Sequence, residues 1–278
     1  SLSECVNFGS NLVGWISHSK TLDIQDAVLV TNLRHFIEQI DACSELLKLS
    51  ISEPCLVLLR AALESFINGS YILQSDHENR GNSFMYFQFL EQIKILDKLD
   101  SETDAGKQMA AIIRKDAFLH GLTLSPPKDS ANIKSNIIAI MNSQSYATVH
   151  AEHTRLKSTN PKSKLQWYSL FGGPTSIEGL ANITGNSGVY EIFYRYASGF
   201  VHGNKIVTKA LDAEGISGIR MPFSAQFICS FSLSLSFILF KKYVEHYCKD
   251  KLSDYLNWHI SMRNIYLSVS NEELIKFE

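Results

Sequence analysis

Four residues in the last third of the chain combine types and spacing suited to phosphoryl chemistry: Glu191, Arg195, Ser198 and His202. On an ideal helix turning about 100° per residue, with Arg195 at zero, Glu191 lies at about −40°, Ser198 at about −60° and His202 at about −20°. All four then share one stripe about 60° wide. An imidazole titrates near neutral pH and can move protons. A guanidinium fork holds phosphate through paired hydrogen bonds, and a serine hydroxyl beside it can donate to a phosphate oxygen. The set suits phosphodiester binding, or cleavage by acid–base chemistry without a metal. Tyr190 and Tyr194 lie to one side, while Ile192, Phe193, Tyr196, Phe200 and Val201 fill much of the remaining girth. A plainer account uses the same residues. Glu191 and Arg195 form an i,i+4 ion pair on a solvated face, and His202 sits at a helix end favoured by the dipole.

A second polar strip occurs in residues 54–73. Val57, Leu59, Leu63, Phe66, Ile67 and Ile72 belong to a segment that is apolar nearly all round, interrupted by Arg60, Glu64, Asn68 and Tyr71 on one broad face. A helix of that kind is normally buried, so its charges must be paired or must line a cavity. Either Arg60 and Glu64 form an internal ion pair tying helices together, or the 60–71 and 191–202 strips face each other across one polar pocket.

These residues carry a family resemblance. Arg195 to His202 has the form R-x6-H, similar to the R-x4-6-H motif of the HEPN superfamily of higher-eukaryote and prokaryote nucleotide-binding proteins. The wider pattern resembles an uncharacterised bacterial family of HEPN-like helical proteins. It is carried by Leu59-Arg60-Ala-Ala-Leu-Glu64, Trp167-Tyr168 and Tyr190-x3-Tyr194-x3-Ser198-x3-His202-Gly203, and spans roughly residues 25–250. The resemblance implies an all-α, HEPN-like helical bundle with additional helices, homodimerisation and metal-independent RNA cleavage. In that picture Arg195 contacts phosphate and His202 is the acid–base residue, while Arg60, Glu64, Glu191, Tyr194 and Ser198 shape or bind the substrate. A second such pair, Arg114 and His120, diverges by about 120° on an ideal helix and is set aside.

The elements that must position these groups follow from periodicity. Helices are predicted over 22–49, 54–73, 84–99, 104–119, 131–156, 187–202, 224–249 and from 252 onward. Pro54 suits a first helical turn. Residues 157–176, with Pro161, Gly172, Gly173 and Pro174, read as the clearest loop, and 205–222 as irregular. Ser230-Phe-Ser-Leu-Ser-Leu-Ser-Phe237 alternates with period two, a strand signal. Its continuation through Lys241–Tyr247 has no turn signal, so the whole stretch is expected to be helical.

Composition narrows the function classes. Hydrophobic residues make up 45% and charged residues 19% of 278, with a formal net charge of −2. This is a globular composition without a global positive field, so any nucleic-acid contact must be local. Cys5, Cys43, Cys55, Cys229 and Cys248 are odd in number and form no CxxC, which argues for free buried thiols rather than a disulfide framework or a zinc site. Phe227–Phe240 is too short and too serine-rich for a membrane span, and no signal-peptide pattern opens the chain. There is no Walker A sequence, GxGxxG or GxSxG. Two weaker signals remain. Arg155, Lys157, Lys162 and Lys164 precede Trp167, Tyr168 and Phe171 with no acid in 153–177, a mixture that can track a nucleic-acid backbone or form a solvated loop. His150-x2-His153 has helical spacing for metal ligands, with Glu152 adjacent, but lacks the HExxH order.

The expectation is thus a single all-α domain over 1–278 in the cytoplasm. It acts as a HEPN-like, metal-independent endoribonuclease or RNA- or nucleotide-phosphate-binding effector, of toxin or defence type, with no cofactor, metal or membrane. The alternative is a non-catalytic helical module binding a nucleotide or a protein.

Overall fold

The computed structural model describes residues 2–19, 21–201, 211–212, 215–216, 220, 222 and 224–271. The fold is all-α. Its helices are α1 (Leu2–Ser19), α2 (Ile24–Lys48), α3 (Glu53–Gln74), α4 (His77–Leu99), α5 (Asp104–Lys115), α6 (Ser130–Met141), α7 (Ala147–Thr159) and α8 (Ile177–Ile183). After α9 (Ser187–Val189) a π-helical turn at Tyr190–Tyr194 leads into α10 (Arg195–Val201), and α11 (Ala225–Tyr247) and α12 (Leu252–Asn271) follow. Leu211–Asp212 and Gly215–Ile216 pair antiparallel as two-residue strands. Packing divides the chain into two compact units: residues 1–77 with 176–278, and residues 78–175.

The larger unit is built around α3. Leu29, Leu33, Phe36 and Ile40 of α2, Leu56, Leu59, Leu63 and Phe66 of α3, and Leu239, Phe240 and Tyr243 of α11 are buried together with Phe8 and Leu12 of α1. Fully burying side chains of this size contributes about 1.5–3 kcal/mol each. Two polar groups inside this core hydrogen-bond from one helix to another: Asn32 Nδ2 donates to the Ser65 carbonyl at 2.6 Å and the Tyr243 hydroxyl to the Leu29 carbonyl at 2.8 Å. Helices α3 and α11 are each long and apolar enough to cross a membrane by length and composition, and here they pack against one another and against neighbouring helices.

The period-two serines of α11 do not make a strand. Ser230, Ser234 and Ser236 each donate to the carbonyl four residues earlier, Gln226, Ser230 and Ser232. Those three hydroxyls are thereby satisfied within the helix, whereas Ser232 Oγ is buried with no hydrogen-bond partner among the described residues; Leu233, Leu235 and Leu239 reach the core.

In the smaller unit, the single helix predicted over 131–156 is two. Helix α6 ends at Met141, Ser143 is extended, and a 3-10 turn at Gln144–Tyr146 starts α7. The interruption lets Met141, Tyr146 and Val149 all reach buried positions. The helix predicted to 119 ends at Lys115, because the Asp116 carboxylate accepts from the backbone N–H of Phe118 and Leu119 and turns the chain. Within the loop predicted at 157–176, Trp167–Gly172 forms a 3-10 turn, with Phe171 at φ 54°.

Candidate functional site

Positioning begins on α3. Arg60 and Glu64 stand one turn apart on its polar face, and the Tyr194 hydroxyl lies between them. Arg60 Nη2 donates to that hydroxyl at 3.0 Å, and the hydroxyl donates to Glu64 Oε1 at 2.9 Å. The Arg60 guanidinium also sits over the Tyr194 ring, 4.6 Å from its centroid. Its Nε is 3.5 Å from Glu64 Oε1, within ion-pair range, yet among the described residues it has no hydrogen-bond partner. Burial pushes the Tyr194 phenol up, with the Arg60 hydrogen bond opposing, so the group stays a neutral donor.

The neighbour of Tyr194 is fixed just as firmly. Phe193 is buried against the rings of Phe231 and Phe227 of α11, with centroids 4.4 and 5.7 Å away. Consecutive residues of the π turn are thus held by α11 on one side and by α3 on the other. A π turn closes i→i+5 hydrogen bonds and is common at functional positions. It also departs from the 100° spacing that placed the predicted stripe.

Arg195 is the first residue after this turn and stands in solvent, its side chain 54% exposed. It pairs with Glu191 at 2.9 Å, as the i,i+4 spacing predicts, and with Glu178 of α8 at 3.2 Å. Its guanidinium lies 5.6 Å from the Tyr190 ring centroid, and Tyr190 stacks on Tyr194 at 4.8 Å. Arg60, Tyr194, Tyr190 and Arg195 therefore form a continuous series of ring and cation contacts linking the interior of α3 to the surface. Cation–π contacts contribute about 0.5–1 kcal/mol at exposed sites and about 2 when desolvated.

The structure brings Arg60, Glu64 and Tyr194 into one hydrogen-bonded network and places Glu191 and Arg195 at the outer end of the series. Ser198 is partly exposed on α10. His202, and the side chains of Phe200 and Val201, lie outside the described residues. Sequence spacing missed Glu178, which follows the Gly172-Gly173-Pro174 break and shares no helical period with Arg195. It also missed the role of Tyr190 as a bridge, although the Tyr190–Tyr194 interval of four was visible.

A family model described as "Family of unknown function (DUF5677)" matches residues 26–214. The chain belongs to this family. No curated protein and no solved structure matches the chain. The DUF5677 match includes Arg60, Glu64, Glu178 and the whole of 190–201, so every described member of the network falls within the family region.

Among the described residues no group of three or more His, Cys, Asp or Glu is arranged to hold a metal. His150 shares a 2.9 Å hydrogen bond with the Tyr86 hydroxyl, and His153 packs on the rings of Tyr86 and Phe87. Of the five free cysteines, Cys5, Cys43, Cys55 and Cys248 are buried. Burial pushes the Cys5 thiol up to about 12, with a Ser236 hydrogen bond opposing.

Proposed function

We propose that this DUF5677 protein engages RNA through the face carrying Arg195, and cleaves it without a metal with His202 as the acid–base group. The observation that carries the reading is the π turn: Phe193 and Tyr194 are locked on opposite sides, and the next residue, Arg195, is presented to solvent from a rigid base. Preorganised support of this kind suits a phosphate contact. The R-x6-H spacing and the HEPN resemblance supply the role of His202. In the proposed step His202 takes the proton of a ribose 2′-OH, the 2′-oxygen forms a bond to phosphorus, and the bond to the 5′-oxygen breaks; the imidazolium returns the proton to the departing 5′-oxygen, leaving a 2′,3′-cyclic phosphate and a 5′-hydroxyl. Arg195 offsets the charge that develops on the phosphoryl oxygens. A cytoplasmic toxin or defence role and a homodimer belong to the same proposal. The test is purified protein on total RNA in EDTA: wild type degrades it, and Arg195→Ala and His202→Ala do not. Equal degradation by wild type and His202→Ala, or none by either, overturns it.

A second reading is favoured by one observation. Arg195 is already engaged by two carboxylates, Glu178 and Glu191, a balance better suited to reversible phosphate recognition than to catalysis. In that case the chain is a non-catalytic nucleotide- or protein-binding module. Nucleotides then raise the melting temperature, Arg195→Ala abolishes the shift, and no turnover accompanies it.

A further inference from the structure

The basic segment singled out after α7 folds over a groove within the smaller unit. The groove encloses about 700 Å³ and is walled by α4, the end of α7 and residues 161–167. Lys94, Lys157, Lys162 and Lys164 line it, together with His153, against the single carboxylate of Glu91. That carboxylate is taken by Lys94 at 2.5 Å. Lys157 Nζ donates to the Ser163 carbonyl at 2.7 Å, which pins the loop as the groove's outer wall. Among the described residues, Lys157, Lys162 and Lys164 form no ion pair with a carboxylate. Phe87, Leu165 and the largely buried Trp167 make the apolar side.

Lysines at the C-terminal end of a helix can simply complement its dipole. That explains Lys157, in the last turn of α7. It does not explain Lys162 and Lys164, which lie beyond the helix, or their convergence with Lys94 from α4. The field in the groove is felt by His153: burial, and then Lys157, His150 and Lys94, push its imidazole below the usual histidine range. Uncompensated cations concentrated in a concave, partly apolar site raise the local concentration of anions.

We propose that this groove binds a nucleoside polyphosphate, its phosphates on Lys157, Lys162 and Lys164 and its base against Phe87 and Trp167. The volume lies in the range of small-molecule sites and suits one nucleotide rather than a strand. An aromatic wall beside the cations adds base contact to phosphate contact. The site is separate from the proposed Arg195 face and does not depend on it.

The test is calorimetric titration of the full chain at low salt with ATP, tripolyphosphate and adenosine, repeated with Lys162→Glu/Lys164→Glu. Both lysines are exposed, so the variant folds, which an unchanged melting temperature verifies. ATP should bind best, adenosine worst, and the variant should lose about tenfold or more in affinity, as expected for lost charge-assisted hydrogen bonds. ATP should also raise the NMR-measured pKa of His153. Four outcomes overturn the proposal: no ATP binding, unchanged affinity in the double variant, loss of ATP binding in Arg195→Ala, or binding of an oligonucleotide where ATP fails.

Discussion

The Tyr194 hydroxyl donates to Glu64 Oε1 at 2.9 Å across the junction between the π turn and α3. Because Arg60 donates to the Tyr194 hydroxyl oxygen, one phenol completes a bridge that neither helix can close alone. Tyr194→Phe keeps the ring stacking and the cation–π contact but leaves Arg60 and Glu64 to pair at 3.5 Å, a poorer geometry. A lost hydrogen bond between partly buried, charged groups costs about 1–3 kcal/mol. Calorimetry should show a melting temperature lower by several degrees. No change would mean that water replaces the phenol without loss and that the bridge does not hold the π turn.

Much of this arrangement was legible in the sequence. The apolar repeats of α2, α3 and α11 predict those helices because burying a stripe dominates their energetics. The demand that Arg60 and Glu64 find partners followed from the apolar character of α3. The π turn was not legible, since the angular argument assumes 3.6 residues per turn and the extra residue is accommodated only through packing of Phe193 and Tyr194 on different neighbours. The break at Asn142–Ser143 escaped for a similar reason: the apolar spacing continues through it, and only the need to bury Met141 and Tyr146 separates α6 from α7. Glu178 is joined to Arg195 by tertiary approach alone.

Arg195 and Glu178 form a pair in which both side chains are more than half exposed. Such pairs contribute about 0–1 kcal/mol, so Glu178→Ala should leave the melting temperature nearly unchanged. It should also free the guanidinium from one competitor. Under the phosphate-binding proposal, anisotropy with a labelled RNA should show affinity rising about two- to fivefold at low salt, a gain that disappears as salt screens the charges. Weaker RNA binding in Glu178→Ala would instead make the carboxylate part of the binding surface.

Glu152 organises the smaller unit. Its carboxylate accepts from Arg155 Nε and Nη2 at 2.7 and 2.9 Å and from the Phe171 backbone at 3.2 Å. The Arg155 hydrogen bonds hold it below the usual carboxylate range, with burial opposing and the Phe171 N–H adding to the lowering. A folded-state pKa below the unfolded value of about 4.3 means a contribution fully present above that pH and lost as pH falls through the folded value. The Phe171 amide, held at a left-handed turn, should therefore be protected from exchange near neutral pH in wild type and less so in Glu152→Gln. The two proteins should converge only in acid, once the pH has fallen through the lowered folded-state value. A difference that persists unchanged in acid would remove the carboxylate as its cause.

Gly69 and Gly14 make opposite predictions from the same substitution. A Cβ at Gly69 would sit 3.0 Å from Asn32 Nδ2 and 3.1 Å from the Tyr243 hydroxyl. Neither neighbour can yield freely, because each is buried and committed to a carbonyl, that of Ser65 and that of Leu29. Alanine gains about 1 kcal/mol of helix propensity over glycine, whereas overpacking a fixed core costs about 1–3 kcal/mol. Gly69→Ala should therefore be net destabilising. At Gly14 of α1 nothing lies within 4 Å of the added methyl, so Gly14→Ala keeps the propensity gain and should raise the melting temperature. Denaturant unfolding of both variants separates the effects. If Gly69→Ala stabilises as much as Gly14→Ala, the Asn32–Tyr243 contact between α2, α3 and α11 is loose, and the rigid base beneath Tyr194 and Arg195 loses its support.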